Sequence, residues 1–283
     1  MKKKILAIAL VVAMIAVAVV GGTLAYMTDE DGAKNVMTFG EVSIVQTELQ
    51  RKDGIDDNAT LVDGDLVPFE QGQRIYPVCP LADGAFTAAP DQANSIKWGP
   101  YVTANGAWNG LYRDAKLTNI IDKFVFVTND GTEDAYFRTI VAYECPDGYT
   151  CGDLAYDDIG ANVNARYGQN DDCVGVQYVV INNVRYAVET YYYNSVEESI
   201  VKVGETMRPS LLQVGLSNTL DNEDIAKWGT ELDVLVLTQA TQTTGFPDAK
   251  TACDMAFGEV NADNYVEWLT PIANAPAGPV DLG

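Results

Sequence analysis

The chain predicts a mainly β fold with a few short helices, and three observations carry that expectation. Runs rich in β-branched and aromatic residues face each other across turn dipeptides: Lys123–Thr128 and Ala135–Glu144 around Asp130-Gly131, Val174–Ile181 and Val184–Tyr193 around Asn182-Asn183. The stretch Leu232–Gln242 carries apolar residues at both alternations, Val234 and Val236 against Leu235 and Leu237, the mark of a strand covered on both faces. Helical spacing is confined to short pieces near the C-terminus.

The elements are best taken in chain order. Lys2, Lys3 and Lys4 precede sixteen uninterrupted apolar residues, Ile5 to Val20, followed by Gly21, Gly22, Thr23, Leu24 and Ala25. A basic start, an apolar run and a small residue after it make a secretory signal peptide, with cleavage expected between Ala25 and Tyr26. The alternative is an uncleaved anchor, since the uncharged run extends to Thr28 and a span needs ~20 apolar residues. Cleavage leaves 258 of 283 residues. It removes three lysines and no acid, so the net charge of −22 becomes −25. Such a surface repels phosphate backbones, and nucleic acid is not an expected partner. The membrane is engaged only through the signal peptide, before cleavage. No cysteine follows the apolar run, against a lipoprotein, and Ala275–Pro279 offers neither an apolar anchor nor a sorting motif. The expected location is extracellular or on the cell surface.

Next comes an Asp- and Gly-rich linker, Thr28–Lys34, and a strand over Asn35–Leu49, in which Val42 and Ile44 alternate with polar residues. Residues 26–49 form the N-terminal segment and first strand. Residues 50–117 are punctuated by Asp, Gly, Asn and Pro and read as an insertion or elaborated loops. Its aromatics, Phe86, Trp98, Tyr101, Trp108 and Tyr112, either stack on sugars or form a second small core. Residues 118–270 hold the main β body, including strands at Ser199–Val203 and Leu211–Leu216, a short helix at Asn222–Trp228 and a helix opening at Pro247 and stopped by Gly258. Residues 271–283 are a tail.

The chemistry-bearing residues are sparse. Histidine is absent, which removes His-based general bases, the usual triads and the His-Glu-x-x-His zinc site. Of five cysteines, Cys145 and Cys151 flank a turn-rich spacer and form the expected disulfide, and the odd count leaves at least one thiol. Carboxylates cluster at Asp53, Asp56 and Asp57, at Asp153, Asp157 and Asp158, and at Asp171 and Asp172. Such oxygen-rich loops can take Ca2+, but none has the twelve-residue loop pattern, and surface solvation explains them as well. Paired carboxylates suited to glycoside hydrolysis cannot be placed across a cleft from sequence. No catalytic residue, cofactor or resident metal is expected.

Three stretches carry a resemblance. Gly22–Asp29 followed by Ala33, Asn35, Thr38-Phe39-Gly40, Val42 and Ile44 resembles the start of the TasA/camelysin family of secreted Gram-positive proteins, matured by a signal peptidase of the SipW type. Asn129-x-Gly131-x-x-Asp134-Ala135-Tyr136-x-Arg138 is similar to a second pattern of that family, and Gln239–Gln242, Gly245-Phe246, Ala256–Gly258 and Trp268 to a third. The resemblance implies a jelly-roll-like β-sandwich that assembles into biofilm-matrix fibres, with copies of itself or related matrix subunits as partners. It also implies a donor strand from Tyr26 through Met27 and Ala33 to Val36 that leaves its own subunit and joins the next. Camelysin members are regarded as metalloproteases, an alternative that a chain without histidine does not favour. A monomeric adhesin or glycan-binding module, motivated by Trp98 and Trp108, is the other alternative.

Overall fold

The computed structural model describes residues 41–53, 55, 60–77, 96–97, 107–108, 121–151, 175–192, 200–207, 209–211, 213–217, 219–229 and 231–279. All belong to one compact unit, Gly40–Gly283. The fold is mainly β: a sandwich of two antiparallel sheets, backed on one side by short helices.

The smaller sheet runs β2 (Leu66–Pro68), β1 (Ile44–Arg51), β6 (Phe124–Asn129). β1 pairs with β6 over Ile44–Leu49 and with β2 only over Leu49–Arg51. The far side of β6 is bonded by an irregular return: Ser210 N–H donates to Val125 O at 2.8 Å and Met207 N–H to Val127 O at 2.8 Å. β2 lies inside the expected insertion, and Leu61 and Leu66 are buried, so residues 60–77 belong to the body. Two further pairs stand apart: β3 (Ile96–Lys97) with β4 (Ala107–Trp108), and β5 (Ile121–Asp122) with β11 (Gln213–Val214).

The larger sheet centres on β7 (Ala135–Glu144). β12 (Val234–Gln242) pairs with its whole length on one side. On the other side β9 (Val184–Tyr191) covers Thr139–Glu144 and β10 (Ile200–Val201) covers Ala135–Tyr136. β8 (Gln177–Ile181) completes the sheet against β9. The β8–β9 turn is the one expected, with Asn182 and Asn183 at φ 53° and 66°, both left-handed as a two-residue hairpin turn requires.

β7 is buried on both faces, so its alternation separates two cores rather than core from solvent. Phe137, Val141 and Tyr143 face the small sheet, with Phe124, Phe126, Ala187 and Val236. Ile140 and Ala142 face the other way, with Val188, Leu235 and Leu237, and meet Tyr265 and Leu269. Those two come from the last of three helices among the described residues, α1 (Asn222–Ile225), α2 (Ala249–Phe257) and α3 (Ala262–Ala273). Asp248 caps α2 by accepting from Thr251 N–H at 2.7 Å, which puts Pro247 just before the cap rather than at the first helical position. Among the described residues, no helix is long and apolar enough to cross a membrane.

Candidate assembly site

Two features of the body stand out: how residues 41–43 are held, and where its strand pairing ends among the described residues. Residues 41–43 prolong β1 beyond the end of β6 and are held by the β6–β7 turn. Thr132 N–H donates to Glu41 O at 2.9 Å, Glu41 N–H donates to Thr132 Oγ1 at 2.8 Å, and the N–H groups of Asp130 and Gly131 both reach Ser43 O at 3.2 Å. Gly131 is required for this approach. A Cβ there would lie 2.4 Å from Glu41 O and 2.7 Å from Ser43 N, both main-chain atoms that cannot swing away.

Asn129 shapes the same turn from inside. It is fully buried, its amide donates to Glu133 O at 2.8 Å and Val201 O at 2.9 Å, and its Oδ1 accepts from Gly131 N–H at 2.9 Å. Asp134 Oδ1 accepts from Val203 N–H at 3.1 Å. Within the Asn129-x-Gly131-x-x-Asp134 pattern, Gly131 grips Ser43 directly, while Asn129 and Asp134 anchor the turn to Val201 and Val203.

The pattern ends on Arg138, whose role the sequence reading missed. Its side chain is wholly buried between the large sheet and the helices. Nε–H donates to Gln239 Oε1 at 2.8 Å, one Nη to Asp254 Oδ1 at 2.8 Å and Tyr192 OH at 3.2 Å, and the other to Gly258 O at 3.1 Å. The guanidinium also lies 4.7 Å from the centre of the Trp268 ring. One planar donor fork thus ties β7, β12, α2 and α3 together. The neighbouring Cys253 is a buried thiol pushed up to about 12 by burial, which leaves it inert as a nucleophile.

The second feature is a seam where both sheets stop. Among the described residues, β12 has a strand partner on its β7 side only, and Ile44–Thr47 of β1 on the β6 side only. Gln46 reaches between them: Thr238 Oγ1–H donates to Gln46 Oε1 at 2.8 Å, and Gln46 Nε2–H reaches Val236 O at 3.5 Å. One cross-strand step inward, facing Thr238 in register, is Thr139, whose buried Oγ1 has no hydrogen-bond partner among the described residues.

The expected site residues fall as follows. Ala25, Tyr26, Met27, Ala33 and Val36 lie outside the described residues, as do Trp98 and the carboxylate clusters other than Asp53. The expected Cys145–Cys151 disulfide is not made. Cys145 is a buried thiol whereas Cys151 is disulfide-bonded. Cys145 continues β7, its N–H donates to Arg185 O at 2.8 Å, and the Arg185 guanidinium reaches its sulfur at 3.5 Å. Among the described residues, no three Cys, Asp or Glu side chains gather as metal ligands. No protein-family model, curated protein or solved structure matches the chain.

Proposed function

We propose that this protein is a secreted structural subunit, major or accessory, of an extracellular biofilm-matrix fibre. Copies join head to tail when the N-terminal segment beginning at Tyr26 adds as a strand to the next subunit, and removal of the signal peptide by a SipW-type peptidase frees that segment after export. The observation that carries this reading is the nine-residue β12, paired on one side only among the described residues and adjacent to the half-covered β1. A sheet edge offers a row of main-chain donors and acceptors that an extended segment can satisfy. A contact between unlike surfaces that does not close into a ring propagates as a filament. The clamp on residues 41–43 supports the same reading, since it fixes the segment's root to the body. No catalytic role is part of this proposal.

Deleting Tyr26–Val36 from the mature chain tests it. The expected product is a folded monomer that forms no filaments in negative-stain micrographs; filaments of ordinary length from the truncated chain would refute the proposal.

A further inference from the structure

Among the described residues, β8 and β12 each have a strand partner on one side only, and β8 is the one whose other side matches itself. β8 reads Gln177-Tyr178-Val179-Val180-Ile181 and pairs with β9 one for one over its whole length. The two-residue turn at Asn182-Asn183 decides which main-chain groups that pairing uses. Ile181 and Val184 flank the turn as a hydrogen-bonded pair, so Val179 with Tyr186 and Gln177 with Val188 are hydrogen-bonded pairs too. Tyr178 and Val180 alternate with them, and their N–H and C=O groups point away from β9. Among the described residues, no other main-chain hydrogen bond reaches either of them.

The side chains follow the same alternation. Val179 and Ile181 are buried in the outer core with Tyr265 and Leu269 of α3. Tyr178 and Val180 lie on the opposite face, 39% and 59% exposed. Tyr178 is nevertheless held in place: the Arg185 guanidinium stacks 4.0 Å from the centre of its ring, and its OH accepts from Cys151 N–H at 3.2 Å. An edge strand ordinarily carries a charge, a proline or a bulge that stops another chain from pairing with it. β8 has no charged residue and no proline, and its register with β9 is unbroken.

The occupant that fits this edge is β8 of a second copy. Laid antiparallel on itself about Val179, the strand sets Tyr178 opposite Val180 of the second copy, and Val180 opposite the second copy's Tyr178. Those are the residues whose main-chain groups point outward, so each pair exchanges both of its N–H···O bonds. The same register puts each exposed ring beside an exposed valine, an aromatic and β-branched pair of the kind that stabilises sheets. Charge favours the same strand. With 18 Lys and Arg against 40 Asp and Glu, two copies repel wherever their carboxylates meet, and β8 has none.

From these observations we infer that β8 is an isologous interface, where two copies join edge to edge with Val179 on the twofold axis and their large sheets become one continuous antiparallel sheet. A contact of this symmetry closes on itself, so it adds a lateral partner without extending a filament. It does not depend on strand addition by the N-terminal segment.

The test uses the mature full chain with a photo-crosslinking residue at Gln177, in a mixture of isotopically heavy and light protein. The expected heavy-to-light crosslinks fall on β8 of the other chain around Ile181, which faces Gln177 in this register. Heavy-to-light crosslinks on β1, β12 or elsewhere overturn the interface, and so do crosslinks confined to single chains at every concentration. Added salt screens the repulsion between acidic copies and raises the crosslink yield several-fold; a yield that stays level or falls contradicts an interface favoured by its lack of charge. Two variants probe the edge itself. Val180→Pro removes an outward N–H without touching a bond to β9, and Val180→Glu sets a carboxylate beside the facing ring. Each lowers the yield about tenfold or more. An undiminished yield from Val180→Glu, a substitution at an exposed site that leaves the unfolding midpoint in place, overturns the inference.

Discussion

Arg138 shows how one residue can hold several elements. A buried guanidinium is tolerable only where its donors are met, and here Gln239, Asp254, Tyr192 and Gly258 O meet them, with Trp268 stacked alongside. Arg138→Met keeps the volume and strands those partners, so a loss of about 3–5 kcal/mol in urea unfolding is expected. Arg138→Lys does not restore it, because an ammonium lacks the planar fork. The role was not legible from sequence for a simple reason: a charged residue at an alternate position of a strand normally marks the solvent face, and here that face carries helices. Cys145 and Cys151 misled in a related way. Six residues of separation allow a bridge, but only the fold shows the first sulfur beside Arg185.

Single elements were read with uneven success, and the causes are physical. The strand at Ala135–Glu144 and the Asn182-Asn183 hairpin were plain because turn chemistry and side-chain alternation agree there. β12 was read as doubly covered because both of its alternations are apolar. α3 was overlooked: Pro271 interrupts its pattern near the end, and only Tyr265 and Leu269 are buried along its twelve residues. That helix nevertheless covers the outer core. Leu269→Ala should cost about 2–5 kcal/mol in thermal or urea unfolding, as expected when a wholly buried leucine is truncated. α2 depends on its cap. The Thr251 N–H bond holds the Asp248 carboxyl below its usual range, so the stabilisation is fully present above pH about 3.9 and is lost as pH falls through the lower folded value. Asp248→Ala should therefore cost about 1 kcal/mol at pH 7. Comparing unfolding midpoints at pH 7 and pH 3 should show that difference shrinking in acid.

At the scale of the whole molecule, helices cover one face of the sandwich, and among the described residues β12 has a strand partner on its β7 side only. Helices α2 and α3 close the outer face of the large sheet, while Gln46 of β1 bridges to β12. The turn at Gly131 ties residues 41–43 to the end of β6, so the chain entering β1 is fixed to the body. A first strand reaching Leu49 was readable from residues alone. That this strand lies beside β12 was not, because such neighbours are set by contacts far apart in sequence. The measurement that tests head-to-tail strand addition most directly is a capping experiment. Chain lacking Tyr26–Val36 keeps the acceptor but has no donor, so adding it in small amounts to polymerising mature chain should occupy one end and shorten filaments in proportion to its fraction. Filament lengths in micrographs that stay unchanged as the truncated chain approaches equal amounts would contradict the account.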